Sequence, residues 1–259
     1  MKDESNIVYG LHAVMSELLE RPDQVEKLYV REGLSAPQLS QMYAICKANR
    51  IPISIVPNDN KLSDIAGSKV NHQGIIALIR DFKYVELDSL FVSDSTPPPE
   101  KKGRVEVNLI IVMDEIEDTH NVGAIIRSAV AVGARAIIIP KHRQAAINGA
   151  VYKTSAGTVN KIDIVRVSNI GVAIERLKKE GYWVGALAAT PSVFWNLDLK
   201  GNIAIIVGNE GKGVSKHNIE NSDFIISIPM NNKVESLNAS VSAAIAMYEW
   251  KRQNSVPQC

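Results

Sequence analysis

Along this chain, short uninterrupted apolar runs alternate with longer stretches that carry a single apolar stripe. Short β-branched runs read as strands buried on both faces; stripes that recur every three to four residues read as helices. In the first part of the chain this predicts a helix from Gly10 to Glu20, with Leu11, Val14, Met15 and Leu18 on one side. A strand Val25–Val30, a helix Ala36–Ala48, a strand Ile53–Val56, a short helix capped by Asp59 and a strand Gly74–Ile79 follow. Further on, strands are expected at Leu109–Met113, Ala136–Ile139, Ile164–Val167, Tyr182–Leu187, Ile203–Val207 and Phe224–Ile228. Helices separate them. One has Val122, Ile125, Ile126, Ala129 and Val130 on its core face, one lies near Ala145–Thr154, and one covers Ile170–Lys179. A last helix opens at Asn238, with Leu237, Val241, Ala244, Ile245 and Tyr248 as its stripe. Strands alternating with helices predict an α/β fold whose parallel sheet has helices on both faces.

The pattern dissolves between Asp81 and Val105, apart from a helix-like patch near Leu87–Val92. Ser93–Gly103 holds three prolines and two lysines and reads as a linker. The expected division is a small domain over 1–80, a linker over 81–104 and a larger domain over 105–259. A chain of 259 residues with 46% hydrophobic content can fill two such cores. It has no apolar run of membrane-spanning length, and MKDESNIVYG lacks the apolar centre of an export signal. Cys46 sits in an apolar helical pattern and Cys259 is the last residue, so neither a disulfide framework nor a metal site is expected. A cytoplasmic protein is the reading these features favour. The formal net charge of +1 requires any nucleic-acid contact to be local.

Two turns hold the candidate chemistry. Gly208-Asn209-Glu210-Gly211-Lys212-Gly213 follows one late apolar run, and Pro229 to Leu237 follows the next. The two strands are expected to be neighbours, so that both turns face one crevice at the carboxyl ends of the sheet, where open α/β sheets bind ligands. The spacing G-x-x-G-x-G matches neither a P-loop nor a dinucleotide fingerprint. The turn after Leu109–Met113 contains EIEDTHNVG and also lacks that fingerprint, which argues against a nucleotide-dependent oxidoreductase.

GNEGKGV, followed by IPM and then VESLNASVSAAI, resembles the second and third motifs of the SpoU–TrmH RNA 2′-O-ribose methyltransferases of the SPOUT superfamily. Asp114 and the run Asp118-Thr119-His120-Asn121-Val122-Gly123-Ala124-Ile125-Ile126-Arg127 resemble the first motif, with Thr119 where proline is usual. Asn232 stands where that family usually has glycine, and asparagine tolerates the left-handed backbone. YGLHAV and HQGIIA resemble signatures of the family's N-terminal domain, which is similar to ribosomal protein L30e. The resemblance implies a SPOUT-type parallel sheet whose C-terminal segment is threaded into a trefoil knot. It further implies a homodimer, S-adenosyl-L-methionine as methyl donor, and RNA as substrate. The N-terminal domain points to 23S rRNA; tRNA and a non-catalytic RNA-binding role are the alternatives.

By the same resemblance, Arg127 activates the ribose 2′-oxygen, aided by Asn121, Glu210, Ser236 and Asn238, while Gly208, Ile228 and Leu237 hold the adenosyl part of the donor. Plainer readings stand beside these. Asn121 sits at a helix-cap position, Arg127 suits a solvated face, and Ser236 and Asn238 suit turn and cap chemistry. Lys141, His142, Arg143 and Lys153 form a short basic cluster, either a solvated surface or a strip for RNA phosphates. His12 and His72 are either RNA contacts or structural histidines.

Overall fold

The computed structural model describes residues 7–35, 37–66, 70–92, 107–189, 196–231, 233 and 236–255. The linker expected at Ser93–Gly103, the domain start at Val105, the turn at Asn232 and the terminal Cys259 lie outside the described residues. The chain forms two compact units. The first is Met1–Lys83 together with Asp118–Arg127 and Ala146–Lys161; the second takes Tyr84–Glu117, Ser128–Ala145 and Ile162–Cys259.

The first unit is built on a four-stranded sheet: β1 (Ile7–Tyr9), β2 (Val25–Arg31), β3 (Ile53–Val56) and β4 (Ile75–Ile79), in the order β1-β4-β2-β3. β4 is antiparallel to both neighbours, and β2 is parallel to β3. The helices α1 (Leu11–Glu20), α2 (Leu39–Ala48) and α3 (Asp59–Ala66) follow the predicted order. β1 was not anticipated, because three residues are too few to show a period. Cys46 is fully buried on α2, and burial pushes its thiol up to about 11. Asp59 is the first residue of α3 and not its cap. Asn58 caps instead, its Oδ1 accepting from Lys61 N at 3.0 Å, while Asp59 pairs with Arg31 at 2.8 Å.

The inserted segments pack closely within this unit. α4 (Thr119–Val132) begins there and α5 (Gly149–Thr154) lies there whole. A Cβ on Gly149 would come within 1.9 Å of the Ile7 carbonyl oxygen, and one on Gly123 within 1.9 Å of Thr154 Oγ1. Asn160, after α5, donates from Nδ2 to Glu17 Oε2 on α1. Glu17 is fully buried. Its Oε1 and the Asn160 Oδ1 have no hydrogen-bond partner among the described residues.

The second unit carries a six-stranded sheet in the order β10-β8-β9-β5-β6-β7, every pair parallel. Its strands are β5 (Leu109–Asp114), β6 (Ala136–Pro140), β7 (Asp163–Val167), β8 (Trp183–Leu187), β9 (Ile203–Gly208) and β10 (Phe224–Ile226). Every residue of β5 and β9 is buried, as central strands covered on both faces require. One face, with Ile110, Val112, Ala204 and Ile206, packs on Ile170, Ala173, Ile174 and Leu177 of α6 (Ile170–Lys179). The other packs on α8 (Ala239–Asn254) along β9. A short helix, α7 (Lys216–Glu220), was not anticipated. Among the described residues no helix is long and apolar enough to cross a membrane.

Two expectations need correction here. β9 and β10 are not neighbours, since β8 lies between them. The stripe proposed for α8 is not its core face either. Ala239, Ala243, Ala246, Met247 and Trp250 are buried, whereas Val241 and Tyr248 are 47% and 55% exposed. The helix is apolar on two sides, and its small residues face inward. Its last turn holds the segment before β9 through side chains. Trp250 Nε1 donates to Gly201 O, Gln253 brackets Leu197 and Leu199, and Asn254 brackets Leu199 and Gly201.

Burial raises the Glu17 carboxyl above its ordinary 4.5, against the opposing pull of Asn160, Arg21 and Tyr152. The folded chain therefore holds this proton more tightly than the unfolded chain. The linked stability is present below 4.5 and is lost as pH rises through the folded value. Glu17→Gln supplies permanent N–H donors beside Asn160 Oδ1 and removes the titration. Its melting temperature is expected to fall less than wild type between about pH 5 and pH 8, where the slope removed is at most about 1.4 kcal/mol per pH unit. Parallel melting curves for the two proteins over that range would refute this.

Candidate functional site

At the carboxyl end of β9 the chain doubles back on itself. A Cβ on Gly208 would stand 2.0 Å from Val214 N and 2.1 Å from Gly213 C, so no larger residue fits there. Gly213 has φ +69°, the left-handed region that glycine enters without strain. Between them, Asn209 organises the turn. Its Oδ1 accepts from Gly211 N at 2.9 Å and Lys212 N at 3.3 Å, and its backbone oxygen accepts from Gly213 N at 2.8 Å. Its Nδ2 donates to the carbonyl oxygen of Glu115, the residue after β5, at 2.9 Å.

This turn is one wall of a cavity of about 420 Å³. Leu187, the last residue of β8, with Ala188 and Ala189 after it, forms a second wall. Ile228 and Met230 after β10, with Ser236, Leu237, Ala239 and Ser242 at the start of α8, complete the lining. Apolar side chains and glycine backbone together suit a flat heteroaromatic group with a polar edge, and the volume fits a ligand of nucleoside size. All these residues belong to the second unit.

The structure gathers Gly208, Glu210, Ile228, Ser236 and Leu237 around this cavity. Asn238 does not line it. Asn238 caps α8, with Oδ1 accepting from Ser240 N at 2.9 Å and Val241 N at 3.3 Å, and so fixes the turn that presents Ser236 and Leu237. Asn121 is not a cap. It lies inside α4, 6% exposed, and Asp118 provides the cap through Oδ1 to His120 N at 2.8 Å. Arg127 is exposed on α4; it and Asn121 belong to the first unit and do not line the cavity.

The basic residues divide between the units. Lys141, His142 and Arg143 are exposed on the loop after β6 in the second. There Arg143 has φ +54°, Glu115 has φ +61°, and the two are paired at 3.4 Å. Lys153, in the first unit, donates to Asn71 O at 3.3 Å with its ammonium 5.4 Å from the Tyr9 ring centre. His12 is exposed on α1. His72 is 6% exposed: Nδ1 accepts from Gly74 N at 3.1 Å and Nε2 lies 3.4 Å from Ser63 Oγ. That ring holds the turn into β4 and offers no face to RNA.

Pattern reading missed the wall after β8. Leu187-Ala188-Ala189 carries no glycine, charge or motif, and only the small size of its alanines hints at a cavity. It also missed the work of Asn209 and Asp114. The Asp114 Oδ2 accepts from Ser215 N at 2.8 Å and Asn218 Nδ2 at 2.9 Å. Such pairings join residues far apart in sequence and leave no local signature.

Residues 7–85 match the family described as RNA 2′-O ribose methyltransferase substrate binding. Residues 108–248 match the SpoU rRNA Methylase family. YacO of Bacillus subtilis (strain 168), assigned to the TrmH family of tRNA/rRNA methyltransferases, is 36% identical over 258 residues, 99% of each chain. Among solved structures, the AdoMet-bound rRNA methyltransferase from Sinorhizobium meliloti superimposes with a TM-score of 0.76 at 23% identity, over 96% of this chain and 87% of that one. A structure described as an RNA 2′-O ribose methyltransferase superimposes with a TM-score of 0.73 at 26% identity, over 95% and 88%. The ordered match of both segments and the full-length relative establish that the chain belongs to the SpoU rRNA methylase family.

Proposed function

We propose that this protein is an S-adenosylmethionine-dependent RNA ribose 2′-O-methyltransferase, acting in the cytoplasm on 23S rRNA as a homodimer. The observation that carries the reading is the cavity itself: the glycine turn after β9 and the turn into α8, both bearing the family's motifs, line one nucleoside-sized space. The AdoMet-bound relative of the same fold supports the donor. The N-terminal match to a substrate-binding family supports a large folded RNA, and 23S rRNA is the substrate put forward.

In this reading Ile228, Met230 and Leu237 contact the adenine, and the backbone of Gly208–Gly213 supplies its polar partners. The donor contributes a methyl group made electrophilic by positively charged sulfur. The protein's own task is to place a ribose oxygen in line with that carbon and to stabilise its negative charge as the proton leaves. Arg127 suits the second task as an electrostatic clamp on oxygen and phosphate, whereas a guanidinium that keeps its proton at neutral pH is a poor base. Glu210 and Ser236, at the cavity, orient the clamp or the sugar. Lys141, Arg143, Lys153 and His12 are assigned to RNA phosphates.

The homodimer is supported by the uncovered apolar side of α8, where Val241 and Tyr248 stand exposed beside Ala244 and Ile245. The small first unit, with its mixed sheet, is assigned to the ribosomal protein L30e type. The trefoil knot is assigned to the C-terminal segment, whose helix reaches the cavity at one end and ties down Leu197–Gly201 at the other. An experimental chain trace from β8 to the end of α8 decides it.

Two substitutions test the chemistry. Gly208→Ala forces a backbone clash and should weaken S-adenosylmethionine binding at least about tenfold by calorimetry, roughly 1.4 kcal/mol. Arg127→Ala should bind the donor as wild type does but lose about a hundredfold or more in methyl transfer to 23S rRNA, the usual scale for removing one oxyanion-stabilising group. Wild-type turnover by Arg127→Ala removes that residue's role. Transfer from tritiated donor to tRNA but not to 23S rRNA moves the substrate to tRNA, and no donor binding leaves an RNA-binding protein.

A further inference from the structure

We propose that Asp114 is a positioning residue for the donor cavity: its buried carboxylate locks the return of the glycine turn and so controls affinity for S-adenosylmethionine without touching it. This inference rests on the methyltransferase reading above.

Asp114 is the last residue of β5, 5% exposed, and in register with Gly208 on β9. Its side chain crosses to the segment that follows the glycine turn, where a single oxygen, Oδ2, receives both Ser215 N–H and the Asn218 side-chain amide. Hydrogen bonds to a charged acceptor are the stronger class. A buried carboxylate is costly to desolvate and persists only where such partners compensate it.

The turn needs an external anchor. Glu210, Gly211, Lys212 and Gly213 are all exposed and offer no apolar side chain to pack. Between Gly208 and the buried Val214 its shape is therefore set by polar ties. Asn209 fixes the inside of the turn, Glu115 O fixes its entry, and Asp114 fixes its exit immediately after Val214. The outer ties come from consecutive residues, Asp114 at the end of the central strand β5 and Glu115 immediately after it. The turn is thus referenced to β5 across the sheet, although every atom it offers the cavity belongs to the segment after β9. Loss of the exit tie leaves the exit held only by the buried Val214, so the backbone of Gly213 can shift against Gly208 and the floor of the cavity shifts with it.

The test uses the full-length protein, titrated calorimetrically with S-adenosylmethionine and, separately, with 23S rRNA, alongside thermal melting. Asp114→Ala should weaken donor binding more than about fivefold and leave RNA affinity within about twofold, because only the donor wall is anchored here. Asp114→Asn keeps one oxygen able to accept from both donors and should restore most of the donor affinity. Ser215→Pro deletes one N–H at φ −59°, which proline adopts, and should fall between Asp114→Ala and wild type; with Asp114→Asn it decides the matter should Asp114→Ala fail to fold. The proposal is overturned by donor affinity within fivefold of wild type in Asp114→Ala or unchanged in Ser215→Pro. Parallel losses of donor and RNA affinity also overturn it, as does Asp114→Asn binding the donor no better than Asp114→Ala. Wild-type protein that binds no donor overturns the methyltransferase reading first, and this inference with it. Wild-type binding with an unaffected Asp114→Ala sinks this inference alone.

Discussion

The close approach of Val214 to Gly208 is the constraint on which the site depends. Backbone atoms lie where a side chain would begin, so the chain after β9 is forced to fold back over the strand end. That reversal puts the glycine-rich turn, with its accessible peptide groups, along one wall of the cavity. Peptide groups recognise the edge of a flat ring well, because their donors and acceptors are fixed in direction before the ligand arrives. The turn itself carries no apolar side chain; it is held by the buried Val214 at its exit and by ties to Asp114, the last residue of β5, and Glu115, the residue after it.

A second consequence concerns α8. One helix both completes the cavity and closes the fold. Its first turn, capped by Asn238, presents Leu237, Ala239 and Ser242 to the ligand space. Its last turn holds Leu197–Gly201 through Trp250, Gln253 and Asn254. Small alanines let the middle of the helix lie close on β9, and the larger Val241 and Tyr248 are left outside. The same helix thus carries an exposed apolar side and one wall of the cavity.

Much of this was legible in the chain. β5 and β9 are continuous apolar runs because strands between two helical layers have no solvated face. α6 was bounded to the residue, since Asn169 caps it, with Oδ1 accepting from Gly171 N at 2.7 Å, and three basic residues close its last turn. The errors have a common cause. Asp59 is expected as a cap, and a cap is the plainer reading of Asn121, because polar residues at helix starts usually are caps, yet Asn58 and Asp118 hold those places one and three residues earlier. The face of α8 was misjudged because a helix apolar on two sides has no unique stripe.

By itself the sequence determined the order and type of nearly every element, the parallel sheet and the two motif-bearing turns, because these follow from local periodicity and turn chemistry. Only the tertiary structure decided that β8 lies between β9 and β10, so that Leu187–Ala189 joins the cavity. It alone decided that His72 faces inward and that Asp114 reaches Ser215, a hundred and one residues away. Strand order and side-chain pairings at that separation are set by how a whole core packs, and no window of neighbouring residues records them.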